Sequence, residues 1–309
     1  MKIAVLGCGA MGSVYAALLA SAGHEVWAID AWSEHVQAMR SKGLRLEGPS
    51  GDRTVPIHAT TNPVKAGRCD LVIVATKAMH VEQAAQSASP LIGPDTVVLS
   101  IQNGLGGPDT AAKVLGKDRV LVGVVGGFGA SMRGPGHAHH NGWELVRLGE
   151  LSGPISPRLE KIAEVWRSGG FKVKCFDDID QLVWEKLICN VCYSGTCTIM
   201  NSTIIQVIEN VDAWACASGC AQEAFAVAKA RGIRLDFNDP VEYVRAFGMK
   251  IQQARPSMLL DHQAGRMSEI DAINGAIPVA AQACSVAAPW NTAVSTLVRA
   301  KERNMGVRH

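Results

Sequence analysis

The sequence predicts an α/β protein in which a Rossmann-type, doubly wound parallel sheet is followed by an all-helical C-terminal domain. A glycine-rich turn directly follows an apolar strand at the N-terminus. Short apolar strands then alternate with helical segments over about the first 175 residues, which is the order of a parallel sheet covered by helices. After Asp177-Asp178 the pattern becomes helical and rich in alanine. We therefore divide the chain into domains 1–177 and 178–309.

The first strand, Lys2–Leu6, leads into Gly7-Cys8-Gly9-Ala10-Met11-Gly12, which has the G-x-G-x-x-G spacing of a dinucleotide site. The first glycine permits a tight turn, the second lets a pyrophosphate approach the backbone, and the third lets the next helix pack on the strand. That helix, Ala10–Ala22, would direct its free N–H groups at the phosphates. The sequence therefore predicts that Gly7, Gly9, Ala10, Met11 and Gly12 bind a cofactor.

Asp30 ends the second predicted strand, Glu25–Ile29, and follows Gly12 by 18 residues. A carboxylate at this place accepts hydrogen bonds from the ribose hydroxyls of NAD and repels the 2′-phosphate of NADP. Positions 31–34 hold no arginine or lysine, and the nearest cations, Arg40 and Lys42, lie further along the next helix. Asp30 can also cap that helix. The predicted cofactor is NAD, with NADP as the alternative.

The remaining elements follow from apolar runs and helical periodicity. They are the strands Leu71–Ala75, Thr96–Ile101, Val120–Val125, Glu144–Leu148 and Phe171–Cys175, the helix Pro157–Ser168, and, in the second domain, the helices Trp184–Met200, Val211–Arg231, Pro240–Arg255, Met267–Cys284 and Asn291–Arg303. Ligands bind beyond the carboxyl ends of parallel strands. Lys77 and Asn103 stand just past two of these strands and are therefore candidate ligand-binding residues.

Composition excludes several classes of function. Of the 309 residues, 48% are hydrophobic and 19% are charged, and the net charge is +2, so no electrostatic argument supports a nucleic-acid or membrane partner. No apolar run reaches the roughly 18 residues needed to cross a bilayer. The first apolar segment is too short for a signal peptide. We expect a cytoplasmic protein.

Neither the cysteines nor the histidines form a metal motif. Cys189 and Cys192 have C-x-x-C spacing, but no second pair accompanies them, and one helical turn apart they are expected to be buried core thiols. His137, His139 and His140 cluster between turn-forming residues, which favours a partly solvated strand or loop over a metal site. We expect no metal.

Lys186 and Asn190 are four residues apart on a predicted helix and therefore share one face. A helical lysine is ordinarily a solvated surface residue. Here the neighbouring residues are largely apolar, which would partly desolvate the ammonium group. A lysine can donate a proton to the oxygen that forms when a hydride reaches a carbonyl, so Lys186 is a candidate general acid.

The chain resembles the 2-dehydropantoate 2-reductase (ketopantoate reductase) family along essentially its whole length. The most specific match is Ser268-Glu269-Ile270-Asp271-Ala272-Ile273-Asn274-Gly275, preceded by Gly265-Arg266. Further matching stretches are Val5–Gly12, Ala75-Thr76-Lys77, Gln102-Asn103-Gly104, Trp184–Leu187 with Asn190, and Arg255–Leu259.

The resemblance implies that a nicotinamide cofactor reduces a 2-keto acid to a 2-hydroxy acid, with 2-dehydropantoate as the leading substrate. It implies that Lys186 is the general acid and Glu269 its acidic partner. Lys77 and Asn103 would lie where cofactor and substrate meet. Asn190 and Ser257 would hydrogen-bond the substrate. It also implies a homodimer, which the long, Ala-rich helix Val211–Arg231 favours.

Two positions depart from the family pattern. Ser194 stands where a second substrate-binding asparagine is usual, and a hydroxyl offers fewer hydrogen bonds than an amide. The family commonly uses NADPH, whereas Asp30 favours NAD. Two alternatives therefore stay open. One is an NAD-dependent 2-hydroxyacid dehydrogenase acting on another acid, and the other is a non-catalytic NAD-binding sensor.

Overall fold

The protein, described here by a computed structural model over residues 1–127, 129–142 and 145–308, forms two compact units. The N-terminal unit comprises Met1–Gln102 and Gly106–Ile179. Among the described residues, the C-terminal unit comprises Asn103–Leu105 and residues 180–308. The short segment Asn103–Leu105 therefore packs with the helices that follow it much later in the sequence.

Twelve strands occur among the described residues. They are β1 (Lys2–Leu6), β2 (Glu25–Ile29), β3 (Leu44–Glu47), β4 (Arg53–Val55), β5 (His58–Thr60), β6 (Leu71–Val74), β7 (Val97–Ser100), β8 (Val120–Val125), β9 (Ala130–Gly134), β10 (His137–His140), β11 (Leu145–Glu150) and β12 (Lys172–Cys175). The predicted strand Glu144–Leu148 corresponds to β11, and Glu144 itself lies outside the described residues.

The α-helices in the same part of the chain are α1 (Ala10–Ser21), α2 (Ser33–Lys42), α3 (Val81–Ser87), α4 (Gly107–Leu115), α5 (Pro157–Ser168), α6 (Ile179–Met200), α7 (Ile204–Glu209), α8 (Val211–Ala230), α9 (Pro240–Lys250), α10 (Ser257–Gln263), α11 (Ala276–Gln282) and α12 (Pro289–Asn304). None of these helices is both long and apolar enough to cross a membrane.

The main sheet has eight strands in the order β12-β11-β8-β7-β6-β1-β2-β5. All neighbours are parallel except β8 and β11, which are antiparallel. The chain leaves β1 toward β2 on one side and later returns to β6 on the other, so the strand order reverses beside β1. Ligands of doubly wound sheets bind at such a reversal. The predicted fold class is confirmed: a parallel-sheet α/β region followed by the helices α6–α12.

A second, four-stranded sheet in the order β4-β3-β10-β9 was not predicted. Its strands are short, and the central pair, β3 and β10, joins residues 92 positions apart in the sequence, such as Arg45 and His137. The three clustered histidines form β10: His137 pairs with Glu47 at 3.2 Å, His139 contacts Asn141, and His140 is fully buried.

Three of the predicted helices are wrong in extent. The helix predicted as Trp184–Met200 begins earlier, at Ile179. The segment predicted as Met267–Cys284 is helical only over α11, and residues 270–275, directly before it, form turns. The helix predicted as Pro240–Arg255 ends at Lys250, because the carbonyls of Gln252 and Ala254 instead accept hydrogen bonds from the first N–H groups of α7. Cys189 and Cys192 are buried on α6, as the core interpretation predicted.

Candidate active site

The glycine-rich turn lies at the carboxyl end of β1, between β6 and β2 in the main sheet. Gly7 has φ +87°, and a Cβ atom there would lie 2.7 Å from the backbone nitrogen of Thr76. A Cβ on Gly12 would lie 2.0 Å from the carbonyl oxygen of Gly7. A Cβ on Gly9 would meet no described atom within 4 Å. Gly7 and Gly12 thus allow close backbone packing, and Gly9 faces open space, as a bound pyrophosphate requires.

The first turn of α1 fits an anion. Gly9 is its N-cap and makes no side-chain capping bond, and α1, which is described in full, has no acidic residue in its first turn. The backbone N–H groups of Ala10, Met11 and Gly12 have no acceptor within the helix, and the helix dipole adds positive charge at this end. These residues therefore fit the pyrophosphate of a dinucleotide.

Asp30 follows β2 at the same edge of the sheet, because Leu6 and Ile29 are in register. Its Oδ1 accepts a hydrogen bond from the backbone N–H of Trp32 at 2.8 Å. Helix α2 begins at Ser33, and Arg40 and Lys42 lie in its last turn. At 1.5 Å per residue these cations lie about 10 Å or more along the helix from its start, so the structure places them away from the Asp30 carboxylate.

Lys77 and Gln102 follow β6 and β7, whose ends are also in register. Lys77 is partly buried at the start of a short 3-10 turn. The Gln102 amide donates to the carbonyls of Val74 (2.5 Å) and Thr76 (3.2 Å) and accepts a hydrogen bond from Ser100. Gln102 thus ties the ends of the two strands together, a role that the sequence did not indicate.

The C-terminal unit joins three of the predicted residues by hydrogen bonds. The Lys186 ammonium donates to Oδ1 of Asn103 at 2.7 Å, and Nδ2 of Asn103 donates to Oε2 of Glu269 at 3.3 Å. Lysine can only donate and a carboxylate can only accept, so this pair of partners determines the orientation of the amide. The result is a chain from ammonium through amide to carboxylate.

The backbone at Gly104 packs closely against the segment that carries Glu269, which places Asn103 beside Glu269. The backbone N–H of Leu105 donates to the carbonyl of Ala272 at 2.9 Å. Gly104 has φ +81°, and a Cβ there would lie only 2.1 Å from that same carbonyl oxygen. Only glycine allows both the left-handed backbone and the close approach, and the Asn103-Gly104 pair is a recognisable turn signal.

Glu269 lies in turns rather than on the predicted helix, because side chains bond the backbone of this segment. Both the N–H and the hydroxyl of Ser268 donate to Oε1 of Glu302, at 2.8 and 2.6 Å. Asn274, fully buried, donates to the carbonyl of Val191 and to Asn291. These bonds hold the Glu269 segment against α6 and α12.

Glu302 is the buried anchor of this segment. Its side chain is fully buried and also binds Arg308 (2.6 Å) and His262 (3.2 Å). Burial by itself raises the pKa of Glu302, but the hydrogen bonds from Ser268, Arg308 and His262 outweigh burial and hold the pKa below its ordinary value.

Replacing Glu302 by alanine leaves buried donors of Ser268 and Arg308 without their acceptor. We expect the free energy of unfolding to fall by about 3 kcal/mol, measured by urea denaturation at neutral pH, with the exposed neighbour variant Arg303→Ala as control. Because folding lowers the pKa of Glu302 from 4.5, the wild type should lose this stabilisation as the pH falls below that value, whereas the variant should not. Equal stability of Glu302→Ala and wild type at neutral pH would contradict this role.

The three remaining predicted substrate-binding residues lie on two helices of the C-terminal unit. Asn190 lies one turn beyond Lys186 on α6 and is partly buried. Ser194, one turn further, is only 5% exposed. Ser257 is exposed and is the first residue of α10, a different helix from the one that carries Lys186.

The N-terminal unit has a parallel sheet with a glycine turn and an acidic residue at its carboxyl edge. The C-terminal unit has a lysine, an amide and a carboxylate joined by hydrogen bonds. Together these features define the class of nicotinamide-dependent oxidoreductases.

Comparison with known proteins identifies the family. The model of the Ketopantoate reductase PanE/ApbA family matches residues 3–153, and the model of its C-terminal part matches residues 178–302. The chain belongs to this family and is an NAD(P)-dependent reductase. A 2-dehydropantoate 2-reductase of Lactococcus lactis is 32% identical over 98% of both chains, and one from Pyrococcus abyssi is also 32% identical over 98% of both chains.

Solved structures agree with this membership. A PanE/ApbA family ketopantoate reductase from Ralstonia eutropha superposes with a TM-score of 0.91 at 31% identity, covering 99% of this chain and all of the other. A D-mandelate dehydrogenase in complex with NADH and anilino(oxo)acetate superposes with a TM-score of 0.92 at 30% identity, covering all of both chains. The solved structures that superpose on this chain therefore include both a ketopantoate reductase and a D-mandelate dehydrogenase.

Proposed function

We propose that the protein reduces a 2-oxo acid to the 2-hydroxy acid with NADH, and that Lys186 is its general acid. The observation that carries the proposal is the hydrogen-bonded chain from Lys186 through Asn103 to Glu269. A contacting amide and a nearby carboxylate keep an ammonium group charged and oriented, as a proton donor requires.

Each residue of the site has a separate role in this reaction. When bound, the dihydronicotinamide supplies the hydride to the carbonyl carbon of the substrate. The Lys186 ammonium donates a proton to the carbonyl oxygen as negative charge develops there. Asn103 aligns the ammonium, and Glu269, acting through Asn103, stabilises its positive charge. Asn190, Ser194 and Ser257 are proposed to bind the substrate.

The leading substrate is 2-dehydropantoate, the substrate in the names of the curated relatives. Ser194 favours a second candidate, a 2-oxo acid without a distal hydroxyl group. Ser194 is buried, and its short side chain offers one hydroxyl where the family pattern has an amide. The D-mandelate dehydrogenase, whose structure contains anilino(oxo)acetate, supports this candidate.

The roles of the two domains and the oligomeric state are also proposals. Residues 1–177 are proposed as the dinucleotide domain and 178–309 as the substrate and dimerisation domain of a cytoplasmic homodimer. Exposed apolar side chains on α8, α11 and α12 (Val211, Val279 and Leu297) support an interface in the C-terminal unit. The contacts among Lys186, Asn103 and Glu269 do not favour a non-catalytic sensor.

The test is the oxidation of NADH by a panel of 2-oxo acids, followed through the near-ultraviolet absorbance of the dihydronicotinamide. The panel contains 2-dehydropantoate, the 2-oxo acid corresponding to mandelate, and aliphatic 2-oxo acids without hydroxyl groups. We expect turnover with at least one of them and a higher kcat/KM with NADH than with NADPH. Binding of NADH without oxidation by any acid would contradict the proposal and favour the sensor.

A further inference from the structure

His35, in the first turn of α2, is a fully buried histidine beside the glycine-rich turn. Its Nδ1 accepts a hydrogen bond from the backbone N–H of Gly136 at 2.8 Å. Its Nε2 lies 3.3 Å from Oγ of Ser13, which is also fully buried. The Ser13 hydroxyl donates to the carbonyl of Cys8 at 2.7 Å, within the glycine-rich turn. A hydrogen-bonded chain therefore runs from the β9–β10 hairpin through His35 to this turn.

The contacts determine the protonation state of His35. Because Nδ1 accepts from Gly136, the ring proton is on Nε2, where it is donated to Ser13. Burial lowers the pKa of His35, and the opposing charge of Asp30 does not offset this effect. A second proton on Nδ1 would face the N–H of Gly136. The neutral ring is therefore the form that fits this site.

His35 also supports the segment that carries Asp30. The Trp32 ring stacks on the imidazole with 5.1 Å between ring centroids and 20° between planes. The backbone N–H of Trp32 in turn donates to the Asp30 carboxylate. One buried side chain is thus linked to both parts of the nucleotide site, to the phosphate-facing turn through Ser13 and to the ribose-facing acid through Trp32.

We propose that His35 is a positioning residue for the dinucleotide, holding the Cys8–Gly9 peptide through Ser13 and the Asp30 segment through Trp32. The proposal rests on the nucleotide site proposed above. Groups held in their binding geometry before the ligand arrives lose less freedom on binding. His35 therefore acts on the affinity for the adenosine diphosphate half of the cofactor and not on the reaction of the bound cofactor.

Three variants test this role. Ser13→Ala removes only the link to Cys8. His35→Asn keeps an acceptor close to Gly136 but shortens the side chain away from Ser13, and His35→Gln reaches toward Ser13. We expect the Kd of NADH and of ADP-ribose, measured by calorimetry, to rise about 3- to 10-fold in Ser13→Ala and His35→Asn. The effect of His35→Gln should be smaller.

The steady-state constants separate positioning from a general loss of structure. In these variants kcat at saturating NADH and KM for the 2-oxo acid should equal the wild-type values. The control is His58→Gln. Like His35, His58 stacks on a tryptophan, Trp27, with 4.6 Å between ring centroids, but it is exposed on β5. This control should bind ADP-ribose as the wild type does.

The inference is overturned if folded Ser13→Ala and His35→Asn bind ADP-ribose with wild-type affinity, even where their urea midpoints are lower. Failure of the nucleotide site itself has a different signature, because the wild type would then bind neither NADH nor ADP-ribose. Wild-type binding together with unchanged variants rejects the role of His35 alone.

Discussion

Replacing Lys186 by alanine is expected to lower kcat/KM for 2-oxo acid reduction by roughly 100-fold or more, because the proton donor to the developing alkoxide is lost. Lys186 belongs to the C-terminal unit and Gly7–Gly12 to the N-terminal unit, so the Kd of NADH should change little. The measurement is steady-state kinetics with the best 2-oxo acid, together with calorimetric titration of NADH.

Two companion variants sharpen this prediction. Lys250→Ala removes an exposed lysine of the same unit and should leave kcat/KM unchanged. Glu269→Gln keeps an oxygen that can accept from Asn103 but removes the negative charge, so it should lower kcat by less than Lys186→Ala does. Unchanged turnover in a folded Lys186→Ala variant would remove Lys186 from the reaction.

Asp30 is expected to give the wild type a preference for NADH over NADPH. The 2′-phosphate would meet the Asp30 carboxylate, and such a like-charge contact costs on the order of 1–3 kcal/mol, or roughly 5- to 150-fold in affinity. The structure strengthens the argument because Arg40 and Lys42 lie in the last turn of α2. His35, held neutral by its contacts, supplies no compensating charge.

Asp30→Ala should therefore relax the preference, mainly by improving kcat/KM with NADPH. Glu34→Ala, which removes an exposed acid from the first turn of α2, is the matched control and should retain the preference of the wild type. A wild-type protein with a higher kcat/KM for NADPH than for NADH would show that this interpretation of Asp30 is mistaken.

Local patterns predicted the parts of the site that depend on neighbours in sequence. The glycine spacing indicated the turn between β1 and α1, and the strand ending at Ile29 placed Asp30 at the same edge of the sheet. The four-residue spacing of Lys186 and Asn190 placed both on one face of α6. Each of these features is determined within one element or one turn.

Long-range contacts were not predictable in this way. Helical periodicity suggested a helix through Glu269, but Ser268 bonds Glu302, 34 residues away, and the segment forms turns instead. The partner of His35, Gly136, is 101 residues distant and lies in the turn between β9 and β10, two strands of a sheet that the sequence did not reveal. A pattern read along the chain contains no information about such pairings.

The most direct test of hydride transfer assisted by Lys186 uses NADH with deuterium at both C4 positions of the dihydronicotinamide, and follows the label into the product of a 2-oxo acid by mass spectrometry and NMR. We expect deuterium at C2 of the 2-hydroxy acid in the wild type, and a much slower appearance of the same labelled product in Lys186→Ala. A 2-hydroxy acid without deuterium at C2, or equal rates in the two proteins, would contradict hydride transfer assisted by Lys186.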